Sequence, residues 1–290
     1  MSNAGTGFDW VKLVNDEFGE LDLLEMPYSI TELTFGYPSP RTVSRSSPLM
    51  DGERDTTKYH AGRVVRFNLE VYQANGKTTN EFVDDFRRFC HPSRVNWLYF
   101  KQQGSGERRI MIKCEDVQQD HVASRQSWHV LNTVWRAPSG RYECDPAHTV
   151  IIRPELTPVG REYDLVYDRE YPYGGPISGA NIVNNGGAIA PVTLRLFGPM
   201  SNIAIYNDTL SQNYTFNSGF GILDDDYVEI RSEDRVALLN GIETESVLHE
   251  LNFEQSDWWS LRTGQNNIRL VTTAGDDITQ LQIIWRCNFI

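Results

Sequence analysis

The chain is 290 residues long, 40% hydrophobic and 23% charged, with a formal net charge of −12. That length accommodates one large β domain or two ordinary domains around a sizeable core, and the composition is that of a soluble globular protein. No apolar run approaches the ~18 residues a membrane-spanning helix requires, and residues 1–28 lack the basic-then-apolar order of a secretory signal, so synthesis in a cytoplasm is expected.

The charge is uneven. Residues 1–150 hold 18 Lys+Arg against 20 Asp+Glu, residues 151–290 hold 9 against 19, and all five Lys lie at or before Lys113. This asymmetry points to two domains in different surroundings, although a soluble acidic surface explains it equally. An acidic second half argues against specific nucleic-acid binding, which needs cations to neutralise phosphates. Cys90, Cys114, Cys144 and Cys287 form no Cys-x-x-Cys pair and are expected to be reduced, mostly buried thiols.

In chain order, residues 1–27 are expected to form a short amphipathic helix or an arm, and a strand to begin at Tyr28 and run to Phe35. A polar stretch follows to about Ala61, with almost no apolar periodicity. A loop of that length is a floppy insertion or an arm that gains order against a neighbouring subunit. Arg63–Tyr72 alternates cleanly, with Val65, Phe67, Leu69 and Val71 facing one way, and reads as a half-buried strand. After the Asn75-Gly76 turn, Thr78 and Glu81 have capping-box spacing. The helix they open, Thr79 to Cys90, carries Phe82, Phe86, Phe89 and Cys90 on one stripe, and His91-Pro92 ends it.

Strands are expected at Val95–Lys101, at Arg108–Val117 with Ile110, Ile112 and Cys114 inward, and at Ser127–Arg136. The last has Trp128, Val130 and Val134 on one face and Leu131 and Trp135 on the other. A short strand, Thr149–Arg153, closes a first domain of residues 1–153, an α+β or β-sandwich unit around one helix. The Pro-, Gly- and Tyr-rich stretch 154–179 reads as a linker.

Residues 180–290 contain no convincing helix. Strands are expected at 180–184, 192–197, 203–207, 213–217, 226–231, 235–240, 267–273 and 280–290, separated by Gly-, Pro- and Asn-rich turns. Many short strands with regular turns imply a β-sandwich or jelly roll. Two neighbouring residues of a strand face opposite ways, so of Trp258 and Trp259 one should be core and the other should lie against a second surface. Gly264 and Asn266 tolerate positive φ and should make the next corner. Leu281, Ile283, Trp285, Cys287 and Phe289 alternate to the end, which should therefore be tied into a sheet.

No catalytic pattern emerges. Gly175-Pro-Ile-Ser-Gly179 has the wrong spacing for a nucleophile elbow, and no phosphate loop or His-Glu-x-x-His occurs. His60, His91, His121, His129, His148 and His249 show no metal-ligand spacing. Asp224-Asp225-Asp226 is the densest carboxylate cluster; it reads as a solvated turn or as a Ca²⁺ collector without the alternation of a helix-flanked loop. Tyr163, Tyr167, Tyr171 and Tyr173 are the best exposed candidates for a sugar platform, and packing between domains explains them as well. No catalytic, cofactor-binding or metal-binding residue is assigned.

Asn185-Gly186-Gly187, the apolar strand to Phe197, Gly198-Pro199 and the strand after it resemble the C-terminal domain of distal tail proteins of long, non-contractile-tailed bacteriophages. Trp259-x-Leu261-x-x-Gly264-x-Asn266-x-Ile268 is similar to that family's Trp-x-x-Leu-x-x-Gly-x-Asn-x-Ile, with Arg262-Thr263 standing where a Pro is common. The first half is similar in layout: a charged loop, the Gly62-Arg63-Val64-Val65 strand, one aromatic helix, then Trp97-Leu98-Tyr99-Phe100. The resemblance implies a mainly β chain. Its parts would be a tail-tube-like N-terminal domain (a β-sandwich or split barrel with one helix) that forms a ring and carries a long β-hairpin, an arm at about 41–61, and a galectin-like sandwich over 180–290.

It further implies a structural role in the virion: a homo-hexameric ring at the distal end of the tail. The implied partners are the tail tube protein, the tail-tip hub, the tape measure protein and the receptor-binding fibres; no enzyme activity and no cofactor are implied. Strand Arg63–Tyr72, helix Thr79–Cys90 and the 41–61 arm are expected to build the ring interface. The alternative is a carbohydrate-binding module for host surface glycan, which would need His, Asn, Arg and a stacking Trp gathered on one concave face; a glycan-cleaving enzyme is a third reading.

Overall fold

The computed structural model describes residues 7–38, 40–46, 53–120, 128–154, 179–272 and 278–290. The chain is mainly β and divides into two units, Met1–Asp145 with Phe289–Ile290, and Pro146–Asn288.

The first unit contains β1 (Phe8–Asn15), β2 (Gly19–Asp22), β3 (Tyr28–Phe35), β4 (Pro40–Ser46), β5 (Glu53–His60), β6 (Arg63–Tyr72), helix α1 (Thr79–Phe89), β7 (Asn96–Gln102), β8 (Glu107–Asp120), β9 (Trp128–Ala137) and β10 (Tyr142–Cys144). The main sheet is antiparallel in the order β2-β1-β7-β8-β9-β6-β3, with β10 also on β8. Leu23, just past β2, donates its N–H to Val11 O and accepts from Ile30 N, both at 2.9 Å. These bonds join the two ends of the sheet, so it curls toward a split barrel. Alternation predicts its core: Val65, Phe67, Leu69 and Val71 of β6, Ile110, Ile112 and Cys114 of β8, and Leu131 and Trp135 of β9 are buried. Each fully buried aliphatic side chain contributes roughly 1.5–3 kcal/mol.

Helix α1 begins as its sequence predicts. Thr78 Oγ1 accepts from Glu81 N at 3.4 Å, and the Glu81 carboxylate accepts from Thr78 N at 2.6 Å. Phe82, Val83, Phe86 and Phe89 turn inward, and Phe86 lies 6.3 Å from the Phe67 ring and 6.4 Å from Trp135. A buried Asn pair closes the other end: Asn96 Nδ2 donates to Phe89 O, and Asn15 Nδ2 donates to Asn96 Oδ1. That leaves a last-turn carbonyl satisfied without water.

The second unit contains β11 (His148–Ile152), β12 (Gly179–Asn184), β13 (Val192–Phe197), β14 (Met200–Ser201), β15 (Ala204–Asn207), β16 (Gln212–Thr215), β17 (Gly221–Ile222), β18 (Tyr227–Arg231), β19 (Val236–Leu239), β20 (Gly264–Val271) and β21 (Gln280–Trp285). They form a five-stranded sheet β11-β21-β13-β18-β19, a four-stranded sheet β12-β20-β15-β16, and the short pair β14–β17. One sheet buries Leu194, Leu196, Ile230 and Ile283, the other Ile182, Ile205, Ile268 and Leu270. Two sheets that each bury one face make a β-sandwich.

Several elements differ from expectation. Residues 8–22 form the β1–β2 hairpin, because apolar residues on both strand faces (Trp10, Val11, Leu13, Val14) mimic a helical stripe. The strand expected at Thr149–Arg153 is β11, and it pairs with β21 of the second unit, so the units divide at Asp145/Pro146 instead of after residue 153. Its apolar run marks a strand but carries no sign of which sheet receives it. The last long strand ends at Trp285, and Phe289–Ile290 belong to the first unit. There the Phe289 ring lies under the Arg108 guanidinium at 4.5 Å. The stretch read as a linker falls, apart from its end residues, outside the described residues.

Candidate assembly interface

The arm expected at 41–61 is an antiparallel hairpin: β4 pairs β5 from Pro40↔His60 to Ser46↔Glu53, with a register shift between Val43 and Ser44. Among the described residues it forms a two-stranded sheet of its own, in which each strand keeps one unpaired backbone edge. The segment is polar almost throughout. Nothing in it alternates, whereas ladder hydrogen bonds use backbone alone.

The root of the hairpin is clamped. Gly36 N donates to Val64 O at 2.8 Å. A Cβ on Gly62 would lie 2.9 Å from Ala137 O, and one on Gly140 (φ +63) 2.7 Å from Ala61 O. The backbones therefore meet more closely than any side chain permits. Beside the root Arg63 is 3% exposed, and its guanidinium sits 4.0 Å from the centroid of the Tyr142 ring. Burial holds its pKa below the usual arginine range.

Strand β6 is paired on both edges, by β3 and β9. It cannot extend a neighbour's sheet and offers only its outer face. There Asn68 Nδ2 donates to Glu32 Oε2 at 3.2 Å, and Tyr72 stacks on Trp128 with centroids 6.3 Å apart. The outer face of α1 is ionic: Asp84–Arg87, Asp85–Arg88 and Lys77–Asp85 pair at 3.4, 3.5 and 3.4 Å. Such surface pairs contribute about 0–1 kcal/mol each to the fold. An open groove over β1, β2 and β7 is lined by Trp10, Lys12, Val14, Glu20, Asp22, Glu25 and Tyr99.

The other residues picked out from sequence have local roles. Asp224 and Asp225 are exposed on a turn, Asp225 at φ 66, and Asp226 accepts from Asn240 Nδ2 at 2.9 Å. Trp259 is 2% exposed and Trp258 half-buried, one in the core and one nearer the surface as expected, although the pair lies in an irregular stretch before β20 and not in a strand. Both rings meet Tyr214, at 5.4 and 5.5 Å. Gly264 has the expected positive φ (+87). Asn266 does not: it is fully buried in β20, accepts from Arg262 N, and donates to Arg262 O and Gly264 O. His91, His129 and His249 sit beside Ser93, Asn80 and Glu250 respectively. Tyr163, Tyr167, Tyr171, Tyr173 and His121, and the side chain of His60, lie outside the described residues.

Sequence reasoning passed over Glu229, 3% exposed in β18, which accepts from Arg195 at 2.7 Å and Arg231 at 2.6 Å. It also passed over Asn184, fully buried, whose Oδ1 accepts from Gly186 N and whose Nδ2 donates to Ala188 O and Leu261 O. A polar residue within an apolar strand was the available signal for Glu229.

No family model matches the chain, and no curated protein matches it by sequence. Solved structures do. The chain superposes on the Dit (gp 19.1) protein of phage SPP1, described as a paradigm of hub adsorption apparatus in phages infecting Gram-positive bacteria. The TM-score is 0.66 at 12% identity, covering 97% of this chain and 99% of that one. It also matches a chain of the phage P2 baseplate in its activated conformation, with Ca and with Sr, each at a TM-score of 0.52 and 10% identity over 96% and 97% of the two chains. At these identities the likeness is one of fold, and it runs through both units.

Proposed function

We propose that this chain is a structural component of a phage tail tip: a hexameric ring at the distal end of a long, non-contractile tail, assembled in the virion after synthesis in the host cytoplasm. The ring joins the tail tube protein and tape measure protein to the tail-tip hub and the receptor-binding fibres, and it acts as a scaffold without catalysis. The observation that carries this reading is the end-to-end fold match to a phage hub adsorption protein, which leaves almost no residue of either chain uncovered.

The hairpin supports it physically. A lone two-stranded hairpin is marginal in water, and β4–β5 forms a sheet separate from the rest of its unit. A neighbouring copy in a closed ring supplies what the hairpin lacks, and a heterologous contact repeated six times closes without leaving an edge. The ionic outer face of α1 and the outer face of β6 complete the contact.

Light scattering on the size-exclusion peak, with negative-stain imaging of the same fractions, tests the assembly. The expected result is a six-fold ring with a central hole; a strict monomer at high concentration, with no ring in the particle, overturns it.

A further inference from the structure

The first unit holds two of its arginines in one repeated way. Arg109 of β8 lies over the Trp97 ring, 4.1 Å from its centroid, with Nη2 2.8 Å from Glu143 Oε2. Arg94 lies 4.2 Å from the centroid of the Phe18 ring and 3.6 Å from Glu17 Oε2. Each guanidinium takes an aromatic face and a carboxylate together. The groove over β1, β2 and β7 offers the same two components, and among the described residues no arginine lines it. Strand parity builds it. Val11 and Leu13 of β1 and Leu98 and Phe100 of β7 are buried, so Trp10, Lys12, Val14 and Tyr99 face outward. The register sets Lys12 between Tyr99 and Asp22. Three carboxylates, those of Glu20, Asp22 and Glu25, share the groove with one cation, and that cation, Lys12, pairs with Glu20 at 3.2 Å.

The hairpin carries the complement. At the end away from its root the register sets Ser44 opposite Asp55, Arg45 opposite Arg54 and Ser46 opposite Glu53. Successive residues of a strand alternate in face, so Arg45 and Arg54 share one face of the hairpin, and Glu53 and Asp55 the other. Like charges directly opposite each other destabilise a strand pair. The basic face therefore needs an anionic surface that its own two strands do not supply.

We propose that the groove over β1, β2 and β7 receives the Arg45–Arg54 face of the hairpin from a second copy of this chain. The guanidinium groups take the rings of Trp10 and Tyr99 and the carboxylates of Asp22 and Glu25, as Arg109 takes Trp97 and Glu143 within one chain. Each copy offers one hairpin and one groove, so the contact is head-to-tail and repeats around a closed ring. The inference rests on the ring reading above and adds to it the surface that receives the hairpin.

Two double variants of the full chain test it by light scattering over a concentration series at low salt. One carries Glu20→Lys and Glu25→Lys in the groove, both exposed positions; the other carries Arg45→Glu and Arg54→Glu in the hairpin. Urea unfolding of each monomer confirms that the fold is kept. Each variant alone is expected to raise the half-assembly concentration at least about tenfold. An equal mixture of the two should return to within about threefold of wild type, because both contacts of an alternating ring then join opposite charges. Variants that assemble as wild type does, in rings, would give the groove to another occupant and overturn the inference with the ring intact. Weakened variants whose mixture is not restored would show that groove and hairpin do not meet, and overturn it likewise. A wild-type chain that stays monomeric throughout would overturn this contact and the ring together.

Discussion

The Arg63 guanidinium lies over Tyr142, 4.0 Å from the ring centroid, and its Nε and Nη2 find no hydrogen-bond partner among the described residues. Tyr142 in turn meets Phe35 and Phe100 edge-on, at 5.3 and 5.6 Å. A cation over a desolvated ring gains about 2 kcal/mol, whereas two unmet donors in a buried charge cost more than that. Replacing Arg63 with Met, which keeps the stem and removes the charge, is therefore expected to leave stability unchanged or raise it by about 1 kcal/mol. Tyr142→Leu, which strips the ring from under a retained charge, should cost about 3 kcal/mol. Urea unfolding measures both. An R63M loss larger than about 2 kcal/mol would mean that the guanidinium is paired in solution.

Glu229 is the corresponding anion of the second unit. Burial by itself would raise its pKa; hydrogen bonds and charge from Arg195 and Arg231 outweigh burial and hold the carboxyl below its ordinary 4.5. A depressed carboxylate stabilises the fold above its unfolded pKa, and that contribution fades as pH falls through the folded value. Stability of this unit should therefore be flat from neutral pH down to about 4.5 as far as Glu229 is concerned, then drop. Glu229→Gln should remove the drop and cost about 1–2 kcal/mol at pH 7, since the charge-assisted bonds are lost while Arg195 and Arg231 stay partly solvated and Arg231 keeps Glu243. Thermal melts of both chains from pH 7 to pH 3 decide it; parallel curves would show that Glu229 is not the titrating group.

The turn after β12 separates two glycines that look alike in sequence. A Cβ on Gly186 would fall 2.4 Å from Asn288 O and 2.7 Å from Asn288 N, whereas one on Gly187 meets nothing within 4 Å. Gly186→Ala should cost about 2–3 kcal/mol as the backbone is pushed apart. Gly187→Ala should be silent within about 0.5 kcal/mol. Equal losses in the two variants would place the close approach elsewhere.

How much of this could be read in advance followed the physics of each element. Period-2 alternation exposed β6, β8 and β21, because one face of each is buried and the other is not. By the same parity Arg63 shares the core face with Val65, a clue the apolar reading of that strand passed over. Thr78 and Glu81 announced α1, because a capping box is local and needs only their spacing. A long β-hairpin was implied by the family resemblance alone; the residues of β4 and β5 carry no alternation to show it, since the pair is held by backbone hydrogen bonds in a polar sequence. The partner sheet of β11 and the unit that receives Phe289 were equally hidden, because which strand meets which is decided by distant segments. Asn266 looked like a turn residue and is a buried hydrogen-bonding hub; both roles draw on the same short amide, and only its neighbours tell them apart.

The hairpin gives the sharpest test of the assembly reading, because fold and assembly separate there. Its own sheet is distinct from the main sheet, and Gly36, Gly62 and Gly140 hold the root from the unit's side. Replacing residues 41–60 with a short Gly-Ser turn should leave unfolding of the first unit within about 1 kcal/mol of the full chain, since few contacts are lost. The same change should abolish the ring, because a copy without its hairpin has nothing to pass to its neighbour. The strands of the hairpin carry Arg41, Arg45, Arg54 and Lys58 against Glu53 and Asp55. Its contact should therefore weaken with salt, and ring formation by the full chain should fall between low and high ionic strength. A shortened chain that still forms rings would remove the hairpin from the interface and leave the ring standing. A full chain that never assembles would remove the ring itself.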